Sequence, residues 1–222
     1  MASFRSFTLF TLLVLLGAGA VFAQGGPVYA VNRIPVSGRA QLSELVMDSS
    51  VPLEARLAAI KRLRFFATSP AGASINASEF SGPIIQALSL PGKINEPVRE
   101  TACEQLTFFG HEKNARVTGA LTRVMNDTGE TFVIRKAAAR SLGRMSGNAT
   151  GATSALNALL SAELRRGPDA NNIPLVRTVV KSLGDLGQEN ARANLLAVLS
   201  SNYPGDIKQA ARKALTMLPP RR

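Results

Sequence analysis

Ile134-Arg135-Lys136-Ala137-Ala138-Ala139-Arg140-Ser141-Leu142-Gly143, residues 134–143, is the stretch on which the fold turns. Ile134, Ala138 and Leu142 recur at i, i+4 and i+8, and Met145 extends the series, so all four fall on one helix face. Small Ala138 in the middle of that face lets a neighbouring helix come close. The same ten-residue pattern recurs at 55–64, 98–107, 175–184 and 207–216. The shared leucine falls at Leu63, Leu106, Leu142, Leu183 and Leu215, in steps of 43, 36, 41 and 32 residues. That irregular period lies in the range of stacked helical repeats.

Acidic or capping residues stand at each start: Glu54, Glu96, Glu130, Asn172 and Asp206. They suit the positive end of a helix dipole. Between the repeated segments lie other apolar stretches, at 39–47, 79–90, 114–125, 152–164 and 189–199. Each reads as the first helix of a pair. Gly, Pro, Asn and Ser punctuate the junctions, as in Ser69-Pro70-Ala71-Gly72 and Arg166-Gly167-Pro168-Asp169. The expectation is an all-α chain of about five antiparallel helix pairs over residues 39–218, with a short tail at 219–222.

The pattern apolar-Arg-x-x-x-Ala-x-x-x-Leu-Gly resembles the second helix of a HEAT repeat. It is most similar to the short HEAT-like repeats first named for phycobilisome lyases. The resemblance covers most of residues 39–218 and implies an α-solenoid, a right-handed HEAT-like superhelix whose second helices line the partner-binding side. Two places depart from it. Repeat two ends in Phe108-Phe109 where Gly is common, and repeat four carries Val176 where Arg is expected, with Arg177 one place later. A stack also follows physically, because one helix pair buries too little surface to fold alone, whereas stacked pairs share a continuous core. The lyases join a bilin pigment to cysteine inside the cell, and nothing beyond the repeat points to that activity here.

Residues 1–23 have the three-part secretory pattern. Arg5 and the amino terminus are positive, Leu9 to Phe22 is apolar apart from Thr11, and Val21 and Ala23 are the small residues before a cleavage point. The run is short for a membrane span, which needs roughly 20 residues. Export after cleavage, to the periplasm or the medium, is expected, with a retained N-terminal anchor as the minor alternative. Residues 24–38 then read as a linker.

The formal charge of the 222-residue chain is +11, and loss of Arg5 with the leader leaves +10. Such a chain attracts anions: acidic proteins, anionic lipid, polysaccharide or nucleic acid. Charge alone does not choose among them, and solubility is the plain alternative. At 100° per residue, Lys136, Arg140 and Arg144 project opposite the Ile134–Leu142 face. In successive repeats the Arg140 position holds Lys61, Glu104, Arg140, Lys181 and Lys213, and the Lys136 position holds Leu57, Glu100, Lys136, Arg177 and Gln209. Stacking would set these in rows. Lys136, Arg140, Arg144, Arg177, Lys181 and Lys213 are therefore the candidate partner-binding residues, with Arg able to grip carboxylate, sulfate or phosphate in a forked geometry. The competing reading pairs Glu100 and Glu104 with Lys61 and Arg140 across repeats, as a solvated surface worth little.

Arg56, Arg99, Arg135 and Lys208 form a second column at the edge of the buried face, expected to contact acids near helix starts. Phe66 and Phe109 align with Met145 and belong to the core. Phe65 and Phe108 turn the other way, either onto loops or towards a partner.

Catalysis has few possible carriers. Cys103 is the only cysteine, and mid-helix beside Ala102 it reads as a buried apolar residue. His111 is the only histidine and sits in a loop without an orienting partner. No disulfide or Cys-based metal site can form within one chain, and a zinc site needs about four ligands, commonly His and Cys, of which the chain has one each. Glu96, Glu100 and Glu104 share a face, but a Ca²⁺ ion wants about 6–8 oxygens. Gly92-Lys93 lacks the rest of a phosphate loop. Paired-carboxylate chemistry needs two pKa values pushed apart, and nothing in the pattern provides for that. The triplets at Asn76, Asn126 and Asn148 match the glycosylation acceptor, which matters only in a host that uses it. The expectation is a non-catalytic extracytoplasmic scaffold or adaptor for a protein partner, with no cofactor and no metal; the alternative is a binder of anionic polymer or membrane surface.

Overall fold

The computed structural model describes residues 19–109 and 115–220. Eleven α-helices occur among them and no strand: α1 (Gly19–Asn32), α2 (Arg39–Met47), α3 (Leu53–Ala67), α4 (Ala77–Ala87), α5 (Glu96–Leu106), α6 (Ala115–Asn126), α7 (Phe132–Leu142), α8 (Ala149–Arg166), α9 (Ile173–Leu186), α10 (Arg192–Ser200) and α11 (Gly205–Thr216). His111, most of the leader and the last two residues lie outside the described residues.

The helices pack as neighbours in two rows. Within pairs, α2 meets α3, α4 meets α5, α6 meets α7, α8 meets α9, and α10 meets α11. Along the rows, α2, α4, α6, α8 and α10 touch in that order, and so do α3, α5, α7, α9 and α11. Each repeated segment is therefore a helix of the second row, and each intervening apolar stretch a helix of the first.

The sequence columns explain the packing. Leu63, Leu106, Leu142 and Leu183 are wholly buried, as are Ala59, Ala102, Ala138 and Ala211. One position along, Ile60, Cys103, Ala139 and Val180 are wholly buried, and the fifth repeat holds exposed Arg212 there. No described helix follows α11, and Leu215 is only partly buried. At the other end α1 packs on α3, with Val31 buried and both Nε and Nη2 of Arg62 donating to the Ile34 carbonyl at 3.3 and 3.2 Å. The stretch read as a linker is thus helical up to Asn32 and seated on the first repeat. The backbone break falls at Gly26, whose φ of 69° no bulky residue adopts easily, just before Pro27.

The Arg column closes helix ends. Arg56 Nε donates to the Val46 carbonyl at 3.1 Å, and Arg135 Nε to the Met125 carbonyl at 2.9 Å. Arg99 Nη1 reaches the Leu90 and Gly92 carbonyls at 2.6 and 2.9 Å. Each thus satisfies carbonyls at or just beyond the end of the first helix of its own pair, where the helix leaves them without partners. Each also reaches forward into the next repeat: Arg56 to Asn95 at 2.9 Å, Arg99 to Glu130 at 3.0 Å, Arg135 to Glu163 at 4.0 Å. The expected contact with acids near helix starts holds for Glu130; the carbonyl contacts add a second role. Burial draws the pKa of Arg56 and of Arg135 below the usual value, partly offset by Asp48 and Glu163 respectively.

Repeat four departs from this. Val176 fills the Arg position and is buried, and Tyr203, from the loop before α11, does the Arg's work. Its hydroxyl lies 3.1 Å from the Glu163 carbonyl and 3.2 Å from that of Gly167, and Asn172 Nδ2 donates to the same hydroxyl at 3.1 Å. No side-chain cap bond forms at the N-cap positions Pro52, Asn95, Thr131, Asn172 or Pro204, although Glu130 Oε1 accepts from Thr131 N at 2.8 Å just ahead of α7. Asn76 does cap α4, accepting from Ser78 N at 3.0 Å, and Asn148 donates to Thr118 Oγ1 at 2.8 Å, so the side chains of these two acceptor asparagines are engaged in structural hydrogen bonds.

The Leu-Gly ending of repeats three and four is a contact requirement. A Cβ on Gly143 would stand 2.5 Å from Ser182 Cβ and 2.8 Å from Ser182 Cα; one on Gly184 would stand 2.9 Å from Ala214 Cα. α7, α9 and α11 therefore approach backbone to backbone. Gly143→Ala is expected to lower the unfolding free energy by about 1–3 kcal/mol, although alanine is the better helix former. Urea denaturation checks it; a gain in stability would mean that the helices are not in contact there.

Candidate functional site

The second-row helices α7, α9 and α11 carry the candidate residues because their inner faces are taken by the Ile134, Ala138 and Leu142 columns. Arg140, Arg144, Arg177, Lys181 and Lys213 are exposed, and Lys136 is half-buried. Lys136 and Arg140 follow one another at four-residue spacing on α7, with Arg144 in the turn just after it, and Arg177 and Lys181 do so on α9. Since α9 touches both α7 and α11, the three helices present one continuous surface.

Arg177 is committed: it is ion-paired with Asp206 across α9 and α11. Glu100 and Glu104 do not neutralise the row. No carboxylate comes within 4.0 Å of Lys61, Lys136, Arg140, Arg144, Lys181 or Lys213 among the described residues, and the six ion pairs found there involve other groups. The buried arginines are used structurally, while Arg140 on α7, Lys181 on α9 and Lys213 on α11 are exposed and enter none of these ion pairs. Row one is basic as well: Arg39 is held by Glu79 at 2.7 Å and Arg192 by Glu189 at 2.6 Å, while Arg116, Arg123 and Arg165 are exposed.

Phe66, Phe109 and Met145 are buried as expected, whereas Phe65 and Phe108 are 48% and 42% exposed. Both carry a guanidinium on their faces: Arg62 lies 5.2 Å from the Phe65 ring centre, and Arg64 lies 3.8 Å from that of Phe108. Cation–π stacking thus joins the first two repeats at this edge, a contact the sequence pattern did not reveal.

A cleft of about 500 Å³ opens between the ends of α7 and α9, lined by Gly143, Arg144, Ser146, Ala149, Asp185, Leu186 and Gln188. Its charged groups are one cation and one carboxylate, Arg144 and Asp185. Cys103 is wholly buried, and burial pushes its thiol pKa well above the usual value, reinforced by Glu130, Glu100 and Glu104, so it stays protonated. Among the described residues no group of three or more His, Cys, Asp or Glu is placed to hold a metal ion. No described helix is long and apolar enough to cross a membrane. No family model matches the chain, and no curated protein matches it.

Proposed function

We propose that this chain is an exported, non-catalytic scaffold that binds a protein partner through the cationic face of its second-row helices. The reading treats the two rows of neighbouring helices as a HEAT-like α-solenoid, in keeping with the repeated motif and with contacts that run from pair to pair. The observation that carries it is the unshared charge of Arg140, Lys181 and Lys213, one exposed cation on each of three adjoining helices. Export rests on the secretory pattern of residues 1–23, and the absence of catalysis on the lack of a nucleophile–base pair in the sequence.

Reversing all three charges (Arg140→Glu, Lys181→Glu and Lys213→Glu) is expected to weaken partner binding about a hundredfold or more while leaving the helical circular dichroism unchanged. The partner is to be captured with the unaltered chain from envelope extract. Unchanged affinity in the triple variant would remove the face from consideration. The formal charge of +11 favours a second reading, a binder of anionic polymer or membrane surface. Affinity for such a polyanion falls steeply between low and physiological salt, whereas a protein interface with an apolar centre changes less.

A further inference from the structure

We infer that the partner's docking segment is acidic with an apolar end: its carboxylates meet Lys136 and Arg140 on α7, and its apolar side chains rest on Ile94, Phe132 and Val133 at the start of that helix. This rests on the proposed scaffold reading and adds the half of the contact that is not charge.

Two sets of groups share one stripe of α7. Phe132 and Val133, in its first turn, are 37% and 41% exposed. Lys136 lies four and three residues further on, and Arg140 four beyond that, so helix geometry sets all four on the same side. Neither cation enters an ion pair among the described residues. The Arg135 guanidinium stacks 5.6 Å from the Phe132 ring centre and holds the ring in place. A third apolar side chain comes from the repeat before: Ile94, 74% exposed, stands in the turn ahead of α5. That turn is tied to the start of α7, because Thr131 Oγ1 donates to Glu96 at 3.1 Å. An apolar anchor with unshared charge beside it is the composition of a protein contact, whose centre is dry and whose rim is polar. A polyphosphate chain has nothing to place on the anchor. A flat anionic membrane meets the wrong charge. The turns within the pairs form one edge, joined by Arg56 to Asn95, Arg99 to Glu130 and Arg135 to Glu163. Exposed Asp48 and Glu54 stand at the first of these turns, Asp127 at the third and Asp169 at the fourth. A bilayer that reached Ile94 would press its phosphates on those carboxylates, whereas a single chain running along α7 passes between them.

The test uses three fluorescein-labelled peptides and fluorescence anisotropy on the purified chain. The first is Leu-Phe followed by four glutamates, the second Gly-Gly followed by four glutamates, and the third Leu-Phe followed by four glutamines. The first is expected to bind about tenfold more tightly than the second, through burial of its apolar side chains. It is expected to bind about tenfold more tightly than the third, through two exposed charge contacts. Ile94→Ser with Val133→Ser is expected to erase the first preference and keep the second. Arg140→Glu is expected to erase the second and keep the first, and Arg165→Glu on α8 to change neither. Circular dichroism of each variant confirms that the helices are retained. Equal binding of the first two peptides, with both weakened by Arg140→Glu, overturns the apolar anchor and leaves the cationic face standing. Survival of the first preference in the double serine variant overturns the placement of the anchor. Failure of all three peptides to bind, or their indifference to Arg140→Glu, overturns the face as well. Tighter binding of phosphatidylglycerol vesicles, lost in the double serine variant, overturns the inference in favour of a membrane; tighter binding of inorganic polyphosphate, indifferent to that variant, overturns it in favour of a polyanion.

Discussion

Arg135→Met is expected to lower the unfolding free energy by about 3 kcal/mol, the lower end of what breaking a buried ion pair costs. The side chain it replaces is buried, closes α6 through the Met125 carbonyl, and faces Glu163 at 4.0 Å. Methionine fills much of the same volume but leaves the carbonyl without its donor and the Glu163 carboxylate, itself only 3% exposed, short of a counter-charge. The cost stays at the lower end because Asn172 Nδ2 still donates to Glu163 at 2.9 Å and Arg166 remains 3.7 Å away. Urea denaturation measures the loss, and Glu163→Leu added to Arg135→Met should recover part of it by removing the stranded charge. Arg177→Ala, which breaks only the exposed pair with Asp206, should cost less than about 1 kcal/mol. If the two single variants cost the same, Arg135 is not the keystone that its surroundings make it.

The second large effect is positional. Leu142→Ala should cost about 3–5 kcal/mol, because the leucine is wholly buried between α5, α6 and α9 neighbours that cannot all collapse onto the void. The equivalent change in the last repeat, Leu215→Ala, should cost about 1 kcal/mol, since that side chain is only partly buried and has a row of helices on one side alone. Side by side, these two substitutions of the same residue type at the same motif position separate a stack from a closed bundle. Thermal and urea unfolding of both variants gives the comparison; equal losses would mean that the last repeat is covered as fully as the middle one.

The second-row helices were legible because their signature is a periodicity of side chains, and the columns led by Ile134, Ala138 and Leu142 specify both helix and face. The first-row helices were legible as apolar stretches, with ends off by a few residues: α8 begins at Ala149, ahead of the 152–164 stretch. The closure of helix ends was not legible, since the acceptors are backbone carbonyls that every residue possesses. Nothing in the letters marks Met125 or Val46 as partners of an arginine. Val176 looked like a slip in register; its explanation is Tyr203, 27 residues later and outside the motif. Residues 24–38 were misread because Gly25-Gly26-Pro27 marks a break, and the chain does break at Gly26, but it then resumes as helix and buries Val31.

For the candidate surface, helical geometry alone was enough to say which cations point outwards. Which of them are already paired required the distances between neighbouring helices. Arg177 meets Asp206 because α9 and α11 are adjacent, whereas Glu104 and Arg140, on equally adjacent helices, do not meet.

The substitution of Tyr203 for an arginine changes how the chain comes apart. Where an arginine closes its own pair, that pair can keep its end sealed after everything beyond it has melted. The carbonyls of Glu163 and Gly167 share the hydroxyl that the last pair supplies with donors of their own pair, the Gly167 amide on Glu163 at 3.0 Å and Asn172 Nδ2 on Gly167 at 2.9 Å. Fraying from the carboxyl end therefore takes one donor from each of these carbonyls along with α10 and α11, and loosens the end of α8. Amides in the last turn of α8 should therefore lose part of their protection from deuterium exchange when α10 and α11 open.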